Sequence, residues 1–331
     1  MSILNESGER PLSIIITVVS GRAALRRCLE TLMPQADPAE TEIIVPYDQW
    51  SAEAGDLAQD FPQVRFHFYD DPIVGGAASS PAVPAHAHRL YDRRRAVGLQ
   101  LARGRIIAMT EDHAVPADDW VRQIRAAHAR PYAAIGGAIE NAVDHPLNWA
   151  LYYCDFGRYG GPLADGAVEH VSDVNVSYKR EALAAISDVW REAYREPTVH
   201  WSLRSRGEVL YLDPRLVVYQ RRPAMAWKEA YRERIEWGRV FAEARVATVG
   251  LGRRLIYAAG APALPALLLF RLWKRMRRQR RTPGQIIQTL PVASVLLTGW
   301  ALGELTGYVF GPPREAQAAS QDSPAVNFES R

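Results

Sequence analysis

Four consecutive polar residues, Thr110, Glu111, Asp112 and His113, follow directly on a short apolar run, Ile106–Met109. Carboxylate oxygens are the ligands that hard divalent cations prefer, and Mn²⁺ also accepts an imidazole nitrogen. The segment can therefore hold a cation beside a negatively charged ligand. The alternative is an ordinary polar turn in which the aspartate caps the next helix.

The elements that would position these residues alternate between strand and helix. Short apolar runs at 12–19, 42–45, 64–69 and 106–109 predict buried strands, and helical spacing follows them at 25–34, 52–59 and 91–102. This order predicts a parallel α/β sheet, whose ligands bind at the carboxyl ends of the strands. Asp48 and residues 111–113 stand at such ends. Further along we predict strands at 133–139 and 170–176, helices at 180–185, 198–206 and 225–246, a strand pair at 209–212 and 216–219, and a mobile loop at 71–87.

Charge divides unevenly along the chain. Residues 1–243 carry 33 Asp and Glu against 28 Lys and Arg, whereas residues 244–331 carry four against twelve. No acidic residue stands between Glu243 and Glu304, and this stretch contains two apolar runs, 255–270 and 286–310. The runs flank a basic loop formed by Arg271, Lys274, Arg275, Arg277, Arg278, Arg280 and Arg281. This pattern predicts a membrane-associated helical region at 246–312, followed by a polar flexible tail at 313–331.

Alternatives remain for this region. It could be a buried helical hairpin with a solvated basic turn, while the apolar runs argue against nucleic acid as the partner. The first run would reach only about 24 Å as a helix, against a hydrocarbon core of roughly 30 Å. We therefore expect the first run to lie in the interface or to re-enter, and only the second to cross. A tight two-helix hairpin stays open.

The expected location follows from the basic loop and the first residues. The positive-inside rule places the basic loop in the cytoplasm. Residues 1–11 are polar and have no signal-peptide pattern. We expect the large domain at the cytoplasmic face of the cell inner membrane, with Cys28 and Cys154 reduced.

The order of these motifs resembles the family-2 glycosyltransferases over roughly residues 11–245. Residues 25–32 (LRRCLETL) are similar to the family's L..CL.SL helix, and residues 42–48 (EIIVPYD) stand in the place of EIIVVDDGS. Residues 95–104 (RAVGLQLARG) stand in the place of RNxGxxxAxG, and residues 107–113 (IAMTEDH) in the place of the acidic DxD signature. The resemblance implies a GT-A fold, a Rossmann-like mixed sheet flanked by helices, over residues 1–245.

The resemblance also implies roles for single residues. The donor, a nucleotide sugar, would be bound by Thr17, Asp48, Arg95, Glu111, Asp112 and Asn175. Asp112 and His113 would lie nearest a Mg²⁺ or Mn²⁺ ion, the cofactor. Glu196 would be the general base, and His200, one helical turn further on, would orient it or share the role. Glu196 as a first-turn residue favoured by the helix dipole is the alternative.

The sequence departs from the family pattern at several positions. Tyr47, Ala96 and Arg195 replace an Asp, an Asn and the first acid of an ED pair. The QxxRW motif of processive synthases is absent, with Arg234–Trp237 (RIEW) a poor substitute, which favours transfer of one or a few sugars.

The implied function is that of an inverting hexosyltransferase. It would move a sugar from a nucleotide-sugar donor to a glycan or lipid-linked acceptor at the cytoplasmic membrane face, in glycan or polysaccharide biosynthesis. A Rossmann oxidoreductase is disfavoured because no G-x-G-x-x-G follows the first strand. A catalytically degenerate, membrane-tethered nucleotide-binding scaffold remains the alternative, because acids are missing at Tyr47, His113 and Arg195.

Overall fold

The central strands of the fold are mostly apolar, and all six side chains of the first strand, Leu12–Thr17, are buried, including the hydroxyl side chains of Ser13 and Thr17. The computed structural model describes residues 11–71, 84–246 and 249–311. The chain divides into two compact units. Unit 1 comprises the described residues of 1–143 and 159–223, and unit 2 those of 144–158 and 224–331. The domain boundary predicted at residue 245 stays a prediction.

Nine strands form one sheet in unit 1. They are β1 Leu12–Thr17, β2 Thr41–Tyr47, β3 Val64–Phe68, β4 Ile106–Glu111, β5 Ala114–Pro116, β6 Ala134–Asn141, β7 Gly166–Val168, β8 Asn175–Lys179 and β9 Leu210–Gln220. Their order is β3-β2-β1-β4-β8-β6-β9-β5, with β7 also paired to β9. Strands β3, β2, β1 and β4 run parallel, whereas β8 is antiparallel to both β4 and β6. The predicted fold class, a mixed sheet flanked by helices with two apolar C-terminal helices, is confirmed.

Eleven α-helices lie within the described ranges. They are α1 Arg22–Leu32, α2 Pro84–Leu101, α3 Trp120–Ala127, α4 Pro146–Asp155, α5 Arg180–Ala184, α6 Ser187–Trp190, α7 Glu196–Ser205, α8 Trp227–Val246, α9 Leu251–Gly260, α10 Leu264–Arg278 and α11 Pro283–Phe310. Short 3₁₀ helices occur at Met33–Gln35, Ala52–Ala58, Gly157–Tyr159 and Ala261–Ala263. The helix predicted at 52–59 is therefore a 3₁₀ helix. Of the loop predicted at 71–87, residues 72–83 lie outside the described residues, and α2 already begins at Pro84.

The strand pair predicted around Asp213 is wrong, because β9 is one strand with an irregularity. Gly137 of β6 pairs with Asp213, but the next residue, Ala138, pairs with Val217. The Asp213 carboxylate closes the looped-out residues by accepting bonds from the backbone N–H and side chain of Arg215, at 3.0 and 2.9 Å. A local carboxylate–guanidinium bond thus replaces the expected turn.

The strand predicted at 170–176 is also mostly wrong. Strand β8 begins only at Asn175, because the Asn175 N–H closes a turn by donating to the Ser172 carbonyl at 3.0 Å. The turn places Asp173 just ahead of the strand.

Unit 2 is helical, and its two longest apolar stretches are 251–278 and 283–310. Each stretch is long and apolar enough to cross a membrane. Buried core helices of soluble proteins meet the same criteria of length and composition, so this is weak evidence for a membrane span. Helix α11 packs against α8 with backbone contact. A Cβ on Gly303 would lie 2.0 Å from the Ile235 carbonyl oxygen, and one on Gly238 would lie 2.1 Å from that of Trp300. Glycine is therefore required where these helices meet.

The basic segment is helical rather than a loop. Helix α10 continues to Arg278, so five of the seven basic side chains stand on its last two turns. Arginine and lysine are good helix formers, and Pro283 is the next proline, at the first turn of α11. Gly260, Pro262 and Pro265 are residue types that break or kink helices, yet within the described residues the only irregularity between α9 and α10 is the single 3₁₀ turn Ala261–Ala263.

Candidate active site

Polar side chains gather at one edge of the sheet, where β1, β2 and β4 end and β8 begins. Thr17 and Glu111, the last residues of β1 and β4, stand opposite each other. Asn175, the first residue of β8, pairs with the residue before Glu111. Asp48 follows β2 directly. Four of the predicted donor-binding residues therefore share the carboxyl edge, as the parallel arrangement requires.

Asp112 holds the loop that follows β1. Its Oδ2 accepts hydrogen bonds from the backbone N–H groups of Val19, Ser20 and Gly21, at 2.9, 2.8 and 2.9 Å. Its own N–H donates to the Thr17 carbonyl at 3.0 Å, and its side chain is fully buried. Three donors on one carboxylate oxygen leave that oxygen no room for a cation. Asp112 therefore acts as a loop anchor in this arrangement.

Asp48 is paired with Arg94, a residue that the sequence analysis did not single out. The Arg94 Nε and Nη2 donate to the two Asp48 oxygens, each at 2.8 Å, and Nη1 donates to the Val18 carbonyl. Both side chains are buried. The Trp50 N–H also donates to Asp48, at 2.9 Å. Arg94 thus ties the end of β2 to the same loop that Asp112 anchors.

Arg95 lies among three carboxylates. Its Nη2 is 2.7 Å from a Glu111 oxygen and 3.1 Å from an Asp173 oxygen, and its Nη1 is 3.6 Å from Asp92. Burial disfavours the charge of Arg95, but Asp173, Glu111 and Asp92 outweigh it and raise its pKa. Burial raises the pKa of Asp92 to about 7, although Arg95 opposes the shift. The Arg95 guanidinium therefore stays charged, and it links Glu111 at the end of β4 to Asp173 just ahead of β8.

Glu111 and His113 face each other and offer one oxygen and one nitrogen to a cation. The His113 Nε2 lies 3.3 Å from Glu111 Oε2, while its Nδ1 lies 2.9 Å from Ser20 Oγ. Two neighbouring ligands of an octahedral ion at about 2.1 Å are separated by about 3.0 Å. Burial raises the pKa of Glu111, and His113 and Arg95 oppose that rise. The pair therefore fits a Mg²⁺ or Mn²⁺ ion that takes its other ligands from phosphate and water.

A metal site complete in protein ligands is not present in the part of the chain that the structure describes. No group of three or more His, Cys, Asp or Glu side chains there is arranged to hold an ion. The predicted metal pair, Asp112 and His113, thus differs from the pair that the geometry favours, Glu111 and His113.

Asn175 is fully buried and its amide is used inside the protein. Its Nδ2 donates to the carbonyls of Ala138 and Leu216, at 2.8 and 2.9 Å, and its Oδ1 accepts from Trp120 Nε1 at 2.9 Å. Both N–H bonds are therefore committed to the irregular part of the β6–β9 pairing. The side chain supports the site from within the sheet.

Glu196 joins the polar edge through Asp173. Its Oε2 accepts the Asp173 N–H at 2.9 Å, and it begins α7. His200, one turn further on, is fully buried, and its Nε2 lies 2.8 Å from the Tyr178 hydroxyl, which lies 2.5 Å from the Tyr194 hydroxyl. Burial raises the pKa of both tyrosines. The structure thus brings Glu196 to the site and places the His200 Nε2 in a buried tyrosine chain.

Buried polar atoms without a hydrogen-bond partner among the described residues also lie near this edge, including Thr17 Oγ1, Arg95 Nε and the amide of Gln220. Gln220 is 3% exposed and pairs with Ala114, next to His113, whose carbonyl accepts the Arg221 N–H at 2.7 Å.

Sequence reasoning missed Arg94, Asp92 and Asp173 as site residues. The run Arg93–Arg95 and the motif beginning at Asp173 were the available signals.

Comparison with known proteins gives matches in structure only. No protein-family model and no curated protein matches the chain. The mannosyltransferase PcManGT from Pyrobaculum calidifontis in complex with GDP-Man and Mn²⁺ is similar over 96% of this chain and 77% of that one, at 15% identity and a TM-score of 0.45. S. aureus TarS 1–349 in complex with UDP-GlcNAc is similar over 92% and 93%, at 10% identity and a TM-score of 0.48. The residue roles proposed below rest on this chain's own geometry.

Proposed function

We propose that this chain is an inverting glycosyltransferase of GT-A type, of the hexosyltransferase class, using a nucleotide-sugar donor. One observation carries the proposal. A continuous polar network runs from Asp48 through Arg94 to the loop after β1, and from there through Asp112 to His113. It continues through Glu111, Arg95 and Asp173 to Glu196. This continuity supports assigning the predicted nucleotide contact, Asp48, and the predicted base, Glu196, to one site.

The charges of this network suit a donor carrying a diphosphate and a cation. Two guanidinium groups stand among six carboxylic acids, so the network is net negative before anything binds, even when Asp92 and Glu111, whose pKa values burial raises, carry their protons. The carboxylates are Asp48, Asp92, Glu111, Asp112, Asp173 and Glu196. A cation held by Glu111 and His113 would neutralise charge on the departing diphosphate. Such excess of negative charge makes binding of the diphosphate alone unfavourable, so donor and cation are expected to bind together.

Glu196 is proposed as the general base. Its carboxylate accepts the proton of the acceptor hydroxyl while that oxygen attacks the anomeric carbon and the diphosphate leaves, which inverts the configuration. The Asp173 N–H fixes one carboxylate oxygen at 2.9 Å, and Arg95 holds the Asp173 side chain. Asn175 and His200, whose polar atoms face the interior, are proposed as positioning residues.

Association with the cytoplasmic membrane face is proposed through an interfacial surface of unit 2. Helix α11 is 39% buried over its apolar window, and it contacts α8, which carries the Arg239–Glu243 ion pair. If α11 crossed the bilayer, α8 would be drawn toward the hydrocarbon with its charges. The stretch 251–278 is only 11% buried over its apolar window, and six of its large apolar side chains are exposed: Leu251, Leu255, Ile256, Leu267, Phe270 and Trp273. It is the better membrane contact, and the acceptor is proposed to be a glycan or a lipid-linked glycan.

The test is release of nucleoside diphosphate and sugar transfer from a panel of nucleotide sugars with Mn²⁺ or Mg²⁺. Glu196→Gln should lower kcat by about 10²–10⁴-fold with donor binding retained, the range for removing a general base. The matched control is Glu192→Gln, whose side chain is exposed four residues earlier. Full activity of Glu196→Gln would overturn the assignment of the base.

A second candidate, a nucleotide-binding scaffold without turnover, is favoured by one observation. Asp112 is saturated by backbone donors, and the described residues contain no metal group of three protein ligands. The same assay separates the candidates, since the scaffold would bind a nucleoside diphosphate and release no sugar from any donor.

A further inference from the structure

Asp173 is a carboxylate of the site with one oxygen that the protein itself does not use. Its N–H donates to Glu196 Oε2 at 2.9 Å, and its Oδ2 lies 3.1 Å from Arg95 Nη2. The Asn175 N–H donates to the Ser172 carbonyl at 3.0 Å, and this turn fixes the backbone of Asp173. The side chain is 22% exposed, and Oδ1 makes no hydrogen bond with any residue that the structure describes. A firmly placed carboxylate oxygen is therefore open to a ligand.

Asp173 stands between the two ends of the proposed reaction. Arg95 joins it to Glu111, which with His113 is proposed to hold the cation beside the departing diphosphate. Its own N–H joins it to Glu196, the proposed base. In an inverting displacement the attacking and leaving oxygens lie on opposite faces of the sugar ring. The ring must then lie between the cation and the base, where Asp173 links the two.

The distances of such a displacement bring the ring within reach of Asp173. The attacking oxygen lies about 3–3.5 Å from the anomeric carbon and about 2.6–3.2 Å from the base that deprotonates it. The anomeric carbon would therefore lie within about 7 Å of the Glu196 carboxylate. Since the Asp173 nitrogen is 2.9 Å from Glu196 Oε2, a ring hydroxyl can meet the Asp173 carboxylate while the base engages the acceptor.

A carboxylate at this place suits a sugar hydroxyl better than the other parts of the donor. An ionised carboxylate accepts hydrogen bonds, and a hydroxyl donates one. Diphosphate oxygens are negatively charged acceptors and are repelled, while the positive charge of Arg95 at 3.1 Å disfavours a second cation. The nucleoside is proposed to bind at Asp48 after β2, and β1 and β4 separate β2 from β8 in the sheet. The transferred sugar is the remaining part.

We propose that Asp173 binds a hydroxyl of the transferred sugar and so selects donors whose sugar carries that hydroxyl. Arg95 and the turn at Ser172 hold the carboxylate in place before the donor arrives. This inference rests on the glycosyl transfer proposed above, and it assigns to that reaction a residue that recognises the sugar.

The test is calorimetric titration of the full chain, with Mn²⁺, by nucleotide sugars and their monodeoxy analogues. The probes are UDP-glucose, UDP-N-acetylglucosamine and GDP-mannose, each compared with analogues that lack one sugar hydroxyl. In the wild-type chain, loss of the hydroxyl that Asp173 binds should weaken affinity about 10- to 100-fold, the range for a hydrogen bond to a charged group. In Asp173→Ala the parent donor and that analogue should bind within about twofold of each other, because the partner of the hydroxyl is gone.

Asp92→Asn is the matched control. The Asp92 Oδ1 lies 3.6 Å from Arg95 Nη1, and its side chain is also 22% exposed. Both variants therefore remove a carboxylate that faces the same guanidinium, but Asp92 lies on α2 rather than beside the base. Asp92→Asn should shift the affinities of a donor and its deoxy analogue by a common factor. Glu196 keeps its anchor in Asp173→Ala, because the bond comes from the backbone N–H.

Four results would contradict the inference. If no monodeoxy analogue binds the wild-type chain more weakly than its parent, Asp173 recognises no hydroxyl. An unchanged ratio of the two affinities in Asp173→Ala would place the hydroxyl elsewhere, and an equal fall of this ratio in Asp92→Asn would mean a general charge effect. Equal weakening of the nucleoside diphosphate alone by Asp173→Ala would mean that the side chain acts on the diphosphate.

A second variant and a second measurement complete the test. If Asp173→Ala melts early, Asp173→Asn carries the comparison, and the ratio should still fall at least about threefold, because a neutral acceptor binds a hydroxyl more weakly than a charged one. Release of nucleoside diphosphate from the same donors tests the proposed function separately. Turnover together with any of the four contrary results refutes only the role of Asp173. Absence of both binding and turnover for all three donors overturns the proposed function and this inference together.

Discussion

Replacing Asp112 by asparagine separates its role as a loop anchor from a role as a metal ligand. In the folded chain one carboxylate oxygen accepts three backbone N–H bonds within 2.9 Å. A hydrogen bond to a charged acceptor contributes about 1 kcal/mol more than one to a neutral acceptor. Three such bonds would sum to about 3 kcal/mol, which we reduce to about 2 kcal/mol because the donors are only half-buried. Asp112→Asn should therefore lower the melting temperature by about 4–8 °C.

The assay is thermal unfolding followed by circular dichroism, with and without Mn²⁺. Asp118→Asn is the control, since its side chain is exposed and the expected change is within about 0.5 kcal/mol. The anchor role predicts a lower melting temperature in both conditions. An unchanged melting temperature together with a loss of Mn²⁺-dependent stabilisation would refute the reasoning and return Asp112 to the metal site.

Three further predictions concern pH and packing. Because burial raises the pKa of Asp92 to about 7, the folded chain holds more protons than the unfolded chain between about pH 4 and 7. The stability that the protonated Asp92 carboxyl contributes is lost as pH rises through about 7. Asp92→Asn should therefore raise the melting temperature above pH 7 and leave it unchanged at pH 4. Burial, helped by Lys179, lowers the pKa of His128 to about 4, so stability is lost as pH falls below about 6.5, and His128→Gln should flatten this acid limb. Gly303→Ala should destabilise unit 2 by about 1–3 kcal/mol, because the added methyl group would overpack the contact between α8 and α11. At Gly252 an added methyl group would have no atom within 4 Å, so Gly252→Ala should stabilise α9 by about 0.5–1 kcal/mol. Unfolding in urea measures the change in stability of both variants.

The sequence predicted the parallel strands β1, β2 and β4 well because almost all of their side chains are buried, on both faces of the sheet. A continuous run of mainly apolar residues is enough to predict a buried strand at Leu12–Thr17 and at residues 42–45. Once these strands are predicted, the positions of their carboxyl ends are known as well. Strand β9 was missed as a single element because a side-chain bond between Asp213 and Arg215 replaces the turn that the Asp-Pro pair suggested. Such a bond is set by tertiary pairing with β6 and leaves no periodic signal.

Within the site, the residue types predicted where polar side chains gather, but not which partner each side chain binds. Glu111 and Asp112 are adjacent carboxylates, yet one faces Arg95 and His113 and the other accepts three backbone N–H groups. Similarly, Arg94 and Arg95 are neighbours that reach different strands, one Asp48 and the other Glu111. Helix geometry turns adjacent side chains by about 100°, so the choice between them depends on the exact docking of α2 on the sheet.

Calorimetric titration of the full chain with uridine and guanosine diphosphates, with and without Mn²⁺, tests the central claim most directly. We predict that one of the two nucleotides binds, that Mn²⁺ tightens its binding by at least about tenfold, and that Asp48→Asn weakens it. Failure of both nucleotides to bind, or binding that neither Mn²⁺ nor Asp48→Asn changes, would contradict a diphosphate site at this edge of the sheet.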